Sequence, residues 1–226
     1  MSTEARAVHF PAEDWGGGVH PYRVGHRKLG MWLFIVSDSL TFSALLMGYS
    51  YLRASNVWPT PFPFYPSIVF SSVMTFCLLS SSLTMVFGVS ASGRGDKAGA
   101  RKWILATIFF GAAFVVLHLI EWRHLIGEGL RPFSLPAHWV ETFTTTDGHL
   151  PSPLFGATFF TITGLHMFHV ITGIIYLCIV ALRVKKVNHE DIEISGLYWH
   201  FVDLVWMFVF PLIYILSVDV GGHLAK

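Results

Sequence analysis

The chain has 226 residues, of which 53% are hydrophobic and 13% are charged, and its formal net charge is +1. A soluble domain carries about 25% charged residues, so this composition argues against a soluble enzyme or a nucleic-acid-binding protein and indicates an integral membrane protein. Cys77 and Cys178 stand in separate apolar runs without metal-site spacing, and we interpret them as packing groups.

The chain order predicts a polar segment, a membrane domain and a short tail. Residues 1–28 are polar and rich in Gly, His and Pro, and they lack the apolar core of a secretory signal. Bilayer-spanning helices need about 20 mostly apolar residues and satisfy their own backbone hydrogen bonds. The sequence therefore predicts an all-α bundle within residues 29–220, followed by a tail at 221–226. Its five spans are 29–52, 67–89, 103–126, 154–182 and 196–218.

Lys and Arg residues are distributed unevenly among the segments between the spans. Most precede the first span, lie between the second and third, or follow the fourth: Arg6, Arg23, Arg27, Lys28, Arg94, Lys97, Arg101, Lys102, Arg183, Lys185 and Lys186. The opposite side carries Arg53, Arg123, Arg131 and Lys226. Positive charge is enriched in cytoplasmic loops. The sequence therefore predicts a cytoplasmic N-terminus and a periplasmic C-terminus.

Several ionisable residues lie inside the predicted spans, where they are costly and usually face a protein interior. The candidates are Asp38, His118, Glu121, His166, His169, His200 and Asp203. The helical rise places both aspartates about 12 Å from the cytoplasmic ends of their spans. His200 lies one turn from Asp203 on the same face. The other four fall in a deeper layer at about 21–27 Å, as two pairs with i, i+3 spacing.

The simplest interpretation of the deeper layer is an interhelical hydrogen-bond network that fixes packing. Two alternatives remain: a proton-conducting role, and metal or haem ligation by His118, His166, His169 or His200. Histidines three residues apart on one helix would not flank a single haem axially, which disfavours ligation.

Asp38 also has two interpretations. It is either a carboxylate hydrogen-bonded to Ser37, Ser39 or a neighbouring helix, or a proton acceptor near the cytoplasmic mouth of a proton channel. The residue alone does not separate these two interpretations.

Four of the predicted spans carry short motifs that combine polar and aromatic residues. They are GMWLFIVSD at 30–38, HLIEW at 118–122, GLHMFHVITG at 164–173 and YWHFVD at 198–203. In this order they resemble the motifs of subunit III of the haem-copper respiratory oxidases.

The resemblance implies a non-catalytic membrane subunit without a cofactor or metal of its own. It would pack against subunit I, which holds the haems and copper, support proton uptake and stability, and bind phospholipid in a cleft between helices. Subunit II, small accessory subunits and a respiratory supercomplex are further expected partners, in a bacterial plasma membrane. Carried over residue by residue, the carboxylate near the region of proton uptake is Asp38.

The chain departs from part of this family in two ways. Many cytochrome c oxidases have a seven-helix subunit III with Glu at the position of Asp38. Five helices and Asp are typical of the quinol-oxidising branch, although five-helix forms also occur among bacterial cytochrome c oxidases. The two missing helices form one wall of the lipid cleft, so their absence puts that site in question.

We expect cytochrome c as the electron donor of the complex, and a quinol oxidase is the second interpretation. An accessory subunit of a nitric oxide reductase shares the fold and is a further alternative. A membrane cytochrome b-type carrier is another, and it would use His118 and His169 on facing helices.

Overall fold

The computed structural model describes residues 25–184 and 188–218. Within these ranges the chain is helical without β-strands, and five helices are long and apolar enough to cross a membrane. The predicted all-α, five-span fold is therefore confirmed. Most of the predicted N-terminal segment, the tail at 221–226 and the cations Lys185 and Lys186 lie outside the described residues.

Six α-helices follow one another along the described chain, and the fourth is a short helix in the loop between α3 and α5. They are α1 (His26–Ser55), α2 (Val69–Gly93), α3 (Lys97–Gly127), α4 (Ala137–Phe143), α5 (Leu154–Arg183) and α6 (His189–Val209). A π-helical turn, Phe64–Ile68, precedes α2, and the turns Phe210–Tyr214 and Ile215–Ser217 continue α6. With these turns, the long helices include all residues of the predicted spans except Val218. Several of them also extend beyond the span, by up to seven residues at the start of α6.

The α6 helix lies at the centre of the bundle, where it packs against α1, α2 and α5. The α3 helix packs against α2 and α5, whereas α1 packs mainly on α6 and α5. Its buried residues, Ile35, Phe42 and Tyr49, are seven residues apart and form one narrow stripe. Most of the remaining α1 surface is exposed and apolar, as expected of a helix that faces lipid or another subunit.

Polar contacts attach α1 to α6 at both ends of the bundle. At one end, Arg27 pairs with Asp191 at 2.9 Å and Lys28 pairs with Glu193 at 2.7 Å. At the other end, Arg53 donates hydrogen bonds to the Ser217 hydroxyl, at 3.1 Å, and to the carbonyl of Leu216. These contacts hold the exposed α1 helix in a fixed position along α6.

Two glycines make room for the largest side chain between α3, α5 and α6. A Cβ added to Gly111 would lie 2.6 Å from the Trp199 ring, and one added to Gly173 would lie 3.0 Å from it. Trp199 is buried, and its Nε1 donates a 2.9 Å hydrogen bond to Ser81 on α2. Glycine at these two positions therefore allows the indole of Trp199 to connect α6 with α2, α3 and α5.

We expect Gly111→Ala to destabilise the bundle by about 1–3 kcal/mol, because the buried Trp199 ring also packs against Gly173 and is hydrogen-bonded to Ser81. The measurement is thermal unfolding in detergent, with Gly48→Ala as the control. No atom lies within 4 Å of the Cβ position of Gly48 on α1. Equal stability of the two variants would contradict this account of the packing.

Candidate functional site

Asp38 on α1 contacts His169 on α5. The Asp38 Oδ2 atom lies 3.4 Å from the His169 Nε2 atom, and the two side chains are 13% and 11% exposed. The other ring nitrogen of His169, Nδ1, lies 2.8 Å from the carbonyl oxygen of Leu165. Because a carbonyl only accepts hydrogen bonds, Nδ1 carries a hydrogen. Tyr198 on α6 donates to the His169 carbonyl at 3.0 Å, so three helices converge here.

This pairing differs from the two layers expected from the sequence. The α1 helix begins at His26, which places Asp38 about 18 Å along it, close to the depth of about 21 Å for His169 on α5. His169 therefore lies beside the carboxylate rather than in a separate layer. The nearby serines donate to the backbone of their own helix, Ser37 to Phe34 and Ser39 to Ile35.

His118 and His166 pack around Trp206. The His166 ring stacks on the Trp206 ring with a centroid distance of 5.0 Å, and the His118 ring meets it edge-on at 5.7 Å. Both histidines are fully buried. Their ring nitrogens have no hydrogen-bond partner among the described residues. Trp206 itself donates to Thr75 on α2 at 3.0 Å, so this cluster connects α3, α5, α6 and α2.

Glu121 accepts two hydrogen bonds from residues that sequence reasoning missed. Ser71 on α2 donates to Oε1 at 3.0 Å, and Tyr214 in the turn after α6 donates to Oε2 at 2.6 Å. The Nδ1 atom of His118 lies 3.7 Å from the same carboxylate. Glu121 thus connects α3 to α2 and to the end of α6, which is a packing role of the kind expected for the deeper layer.

His200 and Asp203 face the serine-rich side of α2. The Nδ1 atom of His200 lies 2.6 Å from the Ser82 hydroxyl, and Ser82 also interacts with the Asp203 carboxylate. Ser81 and Ser82 of α2 thus both bind polar groups of α6, a role that residue type and spacing alone do not reveal.

The arrangement does not suit a haem between histidines. The rings of His118 and His166 both pack against Trp206, while the ring nitrogens of His169 contact the Leu165 carbonyl and Asp38. In the part of the chain that the structure describes, no group of three or more His, Cys, Asp or Glu residues could hold a metal ion. The pair of facing histidines that a cytochrome b-type carrier requires is therefore not formed by His118 and His169.

Comparison with known proteins finds relatives along most of the chain. The protein-family model described as cytochrome c oxidase subunit III matches residues 12–218. Subunit 3 of the cytochrome bo(3) ubiquinol oxidase of Pseudomonas putida is 31% identical over 196 residues, covering 84% of this chain and 86% of the relative.

The names of two relatives from Bacillus subtilis refer to different electron donors. Subunit 3 of its quinol oxidase is 32% identical over 202 residues, covering 86% of this chain and 88% of the relative. Subunit 3 of its cytochrome c oxidase is 30% identical over 200 residues, covering 85% and 87%. Overall similarity to the two kinds of oxidase is thus nearly the same.

Proposed function

Since the chain belongs to the cytochrome c oxidase subunit III family, we propose that it is the non-catalytic subunit III of a proton-pumping haem-copper terminal oxidase. The family places it in a complex with other oxidase subunits and in a membrane that it crosses several times. The observation that carries the proposal is the family match over residues 12–218, a range that includes all the described helices. Subunit I, with subunit II nearby, would be its main contact, and the haems and copper would lie in those partners.

The proposed location is a bacterial plasma membrane, with the N-terminus in the cytoplasm and the C-terminus in the periplasm. Arg27 and Lys28 lie at the start of α1, and Arg183 lies at the end of α5. The α2–α3 turn, with Arg94 and Lys97, belongs to the same end of the bundle because consecutive membrane helices run in opposite directions. The positive-inside rule then supports this end as the cytoplasmic one.

The pair formed by Asp38 and His169 supports a role in proton uptake. Because Nδ1 of His169 already carries a hydrogen, the contact between Nε2 and Oδ2 is favourable when one further hydrogen lies between them. That hydrogen belongs either to an imidazolium facing a carboxylate or to a carboxylic acid facing a neutral imidazole. The Asp38 Oδ2 atom is buried and forms no hydrogen bond to the described residues, so one exchangeable proton shared with Nε2 would satisfy both atoms and would suit a group that takes up protons and passes them on.

We expect His169→Leu to weaken assembly of the complex, because it leaves the Asp38 carboxylate at membrane depth without its partner. The measurement is the amount of subunit I that co-purifies with the variant. Phe168→Leu is the matched control, because Phe168 is the preceding residue on α5 and its side chain is 63% exposed. Normal recovery of subunit I and normal activity with His169→Leu would count against a structural role of the pair.

Phospholipid binding is proposed for the groove between α1 and α6. It has a volume of about 380 Å³, and its wall includes Phe42 and Leu46 of α1 and Phe201 and Val205 of α6. An apolar groove at this depth fits an acyl chain. Leu46→Trp should fill the groove and lower the number of phospholipids that co-purify with the complex, and an unchanged number would refute this site.

Cytochrome c is the proposed electron donor of the complex. A quinol is the second candidate for the donor, and it would make the complex a quinol oxidase. Relatives from quinol oxidases, at 31% and 32% identity, support the second candidate about as strongly as relatives from cytochrome c oxidases support the first. Because the donor binds to partner subunits, the test is oxygen consumption by the purified complex with reduced cytochrome c and with a quinol. Faster turnover with the quinol would replace the first proposal by the second.

A further inference from the structure

A second groove lies between the beginning of α3 and the end of α5. This is the end of the two helices that lies opposite the loop containing α4. The groove has a volume of about 580 Å³. The residues that line it are Lys97, Ala98, Arg101, Lys102, Leu105 and Val184. The walls of the groove are therefore apolar, and the carbon stems of three cationic side chains form part of them at the end of the bundle.

The order of these residues along α3 separates charge from apolar surface. Lys97, Arg101 and Leu105 are four residues apart and share one face of the helix, with Lys102 beside them. Leu105 lies eight residues after Lys97, which places it about 12 Å further along the helix. The cations thus stand at the depth of lipid headgroups, and the apolar part of the groove extends toward the acyl chains.

The carboxylate next to the groove in the sequence caps α3. Asp96 precedes α3, and its Oδ1 atom accepts a 2.8 Å hydrogen bond from the Gly99 N–H, so it caps the helix. Arg101 and Lys102 are exposed and lie just after the first turn of α3.

We propose that this groove binds an anionic phospholipid, with the headgroup phosphate at Arg101 and Lys102 and an acyl chain along Leu105. Arginine binds phosphate with two parallel hydrogen bonds, and basic pockets between membrane helices bind anionic headgroups in this manner. The site lies on α3 and α5, apart from the groove between α1 and α6. It depends on the membrane location of the chain and not on the identity of the electron donor.

A free phosphate would be attracted by the same cations, but it would leave the apolar part of the groove uncovered. The test therefore uses native mass spectrometry of the complete purified complex, titrated with phosphatidylglycerol, with phosphatidylcholine and with inorganic phosphate. Arg101→Gln is the test variant. Arg94→Gln is the matched control, because Arg94 is an exposed cation of the α2–α3 turn that does not line the groove.

Arg101→Gln is expected to weaken phosphatidylglycerol binding about tenfold, the effect of losing one charge-assisted contact. Arg94→Gln should bind it as the unmodified complex does, and phosphatidylcholine should not distinguish the three proteins. Equal losses in both variants would overturn the proposal, and so would displacement of the lipid by inorganic phosphate. If Arg101→Gln does not assemble, Lys102→Gln provides the same comparison.

Discussion

Asp38→Asn is expected to leave the complex assembled but to slow proton uptake and shorten its catalytic lifetime several-fold. Asparagine keeps the shape of the side chain and can still contact Nε2 of His169, which lies 3.4 Å from the Asp38 carboxylate. Asparagine cannot bind or release a proton near neutral pH, so the side chain at position 38 no longer exchanges protons with His169. The measurement is oxygen consumption over many turnovers, together with the rate of proton uptake after a pulse of oxygen.

Asp38→Glu is the control for this prediction, because it keeps a carboxylate at this position. We expect it to recover most of the lifetime that Asp38→Asn loses. Unchanged activity and lifetime in Asp38→Asn would remove the proton role of Asp38. Loss of assembly in both variants would instead show that the residue is structural.

Trp206→Ala should have the largest effect on stability of any single replacement considered for this chain. The indole is fully buried, contacts His118 and His166, and donates to Thr75 on α2. Truncation of a buried Trp typically costs about 3–5 kcal/mol, because it leaves a cavity as well as lost contacts. It would also leave the Thr75 hydroxyl without this donor. We expect a strongly lowered unfolding temperature and little assembled complex.

Phe208→Ala is the matched control for Trp206→Ala. Phe208 lies two residues further along α6, and its aromatic side chain is 56% exposed. Its truncation should change the unfolding temperature far less. If both variants unfold at the same temperature, the cluster around Trp206 does not organise the bundle as the contacts indicate.

The five-helix fold was predictable because it depends on long apolar runs, which the local sequence shows directly. The ends of the helices were less accurate, since polar residues such as His26 and Lys97 continue a helix beyond the membrane. The end of α6 also changes geometry at Pro211, which lacks a backbone N–H and lies at the start of the π-helical turn Phe210–Tyr214.

The candidate residues were predictable as a set because ionisable groups are rare inside membranes. Their partners were not, because contacts between helices depend on the depth and rotation of each helix. Asp38 meets His169 because of the position and rotation of α1 against α5, which the apolar run of α1 does not show. Tyr214, which binds Glu121, carries no sequence signal that separates it from other aromatic residues near a membrane surface.

The most direct test of the central claim is purification in mild detergent through a tag on Lys226, with the co-purifying subunits identified by mass and any haem by its spectrum. We predict a large partner with a haem-copper spectrum and no haem, copper or zinc bound to the 25.3 kDa chain itself. Recovery of this chain alone with its own haem would contradict the account and favour a membrane cytochrome.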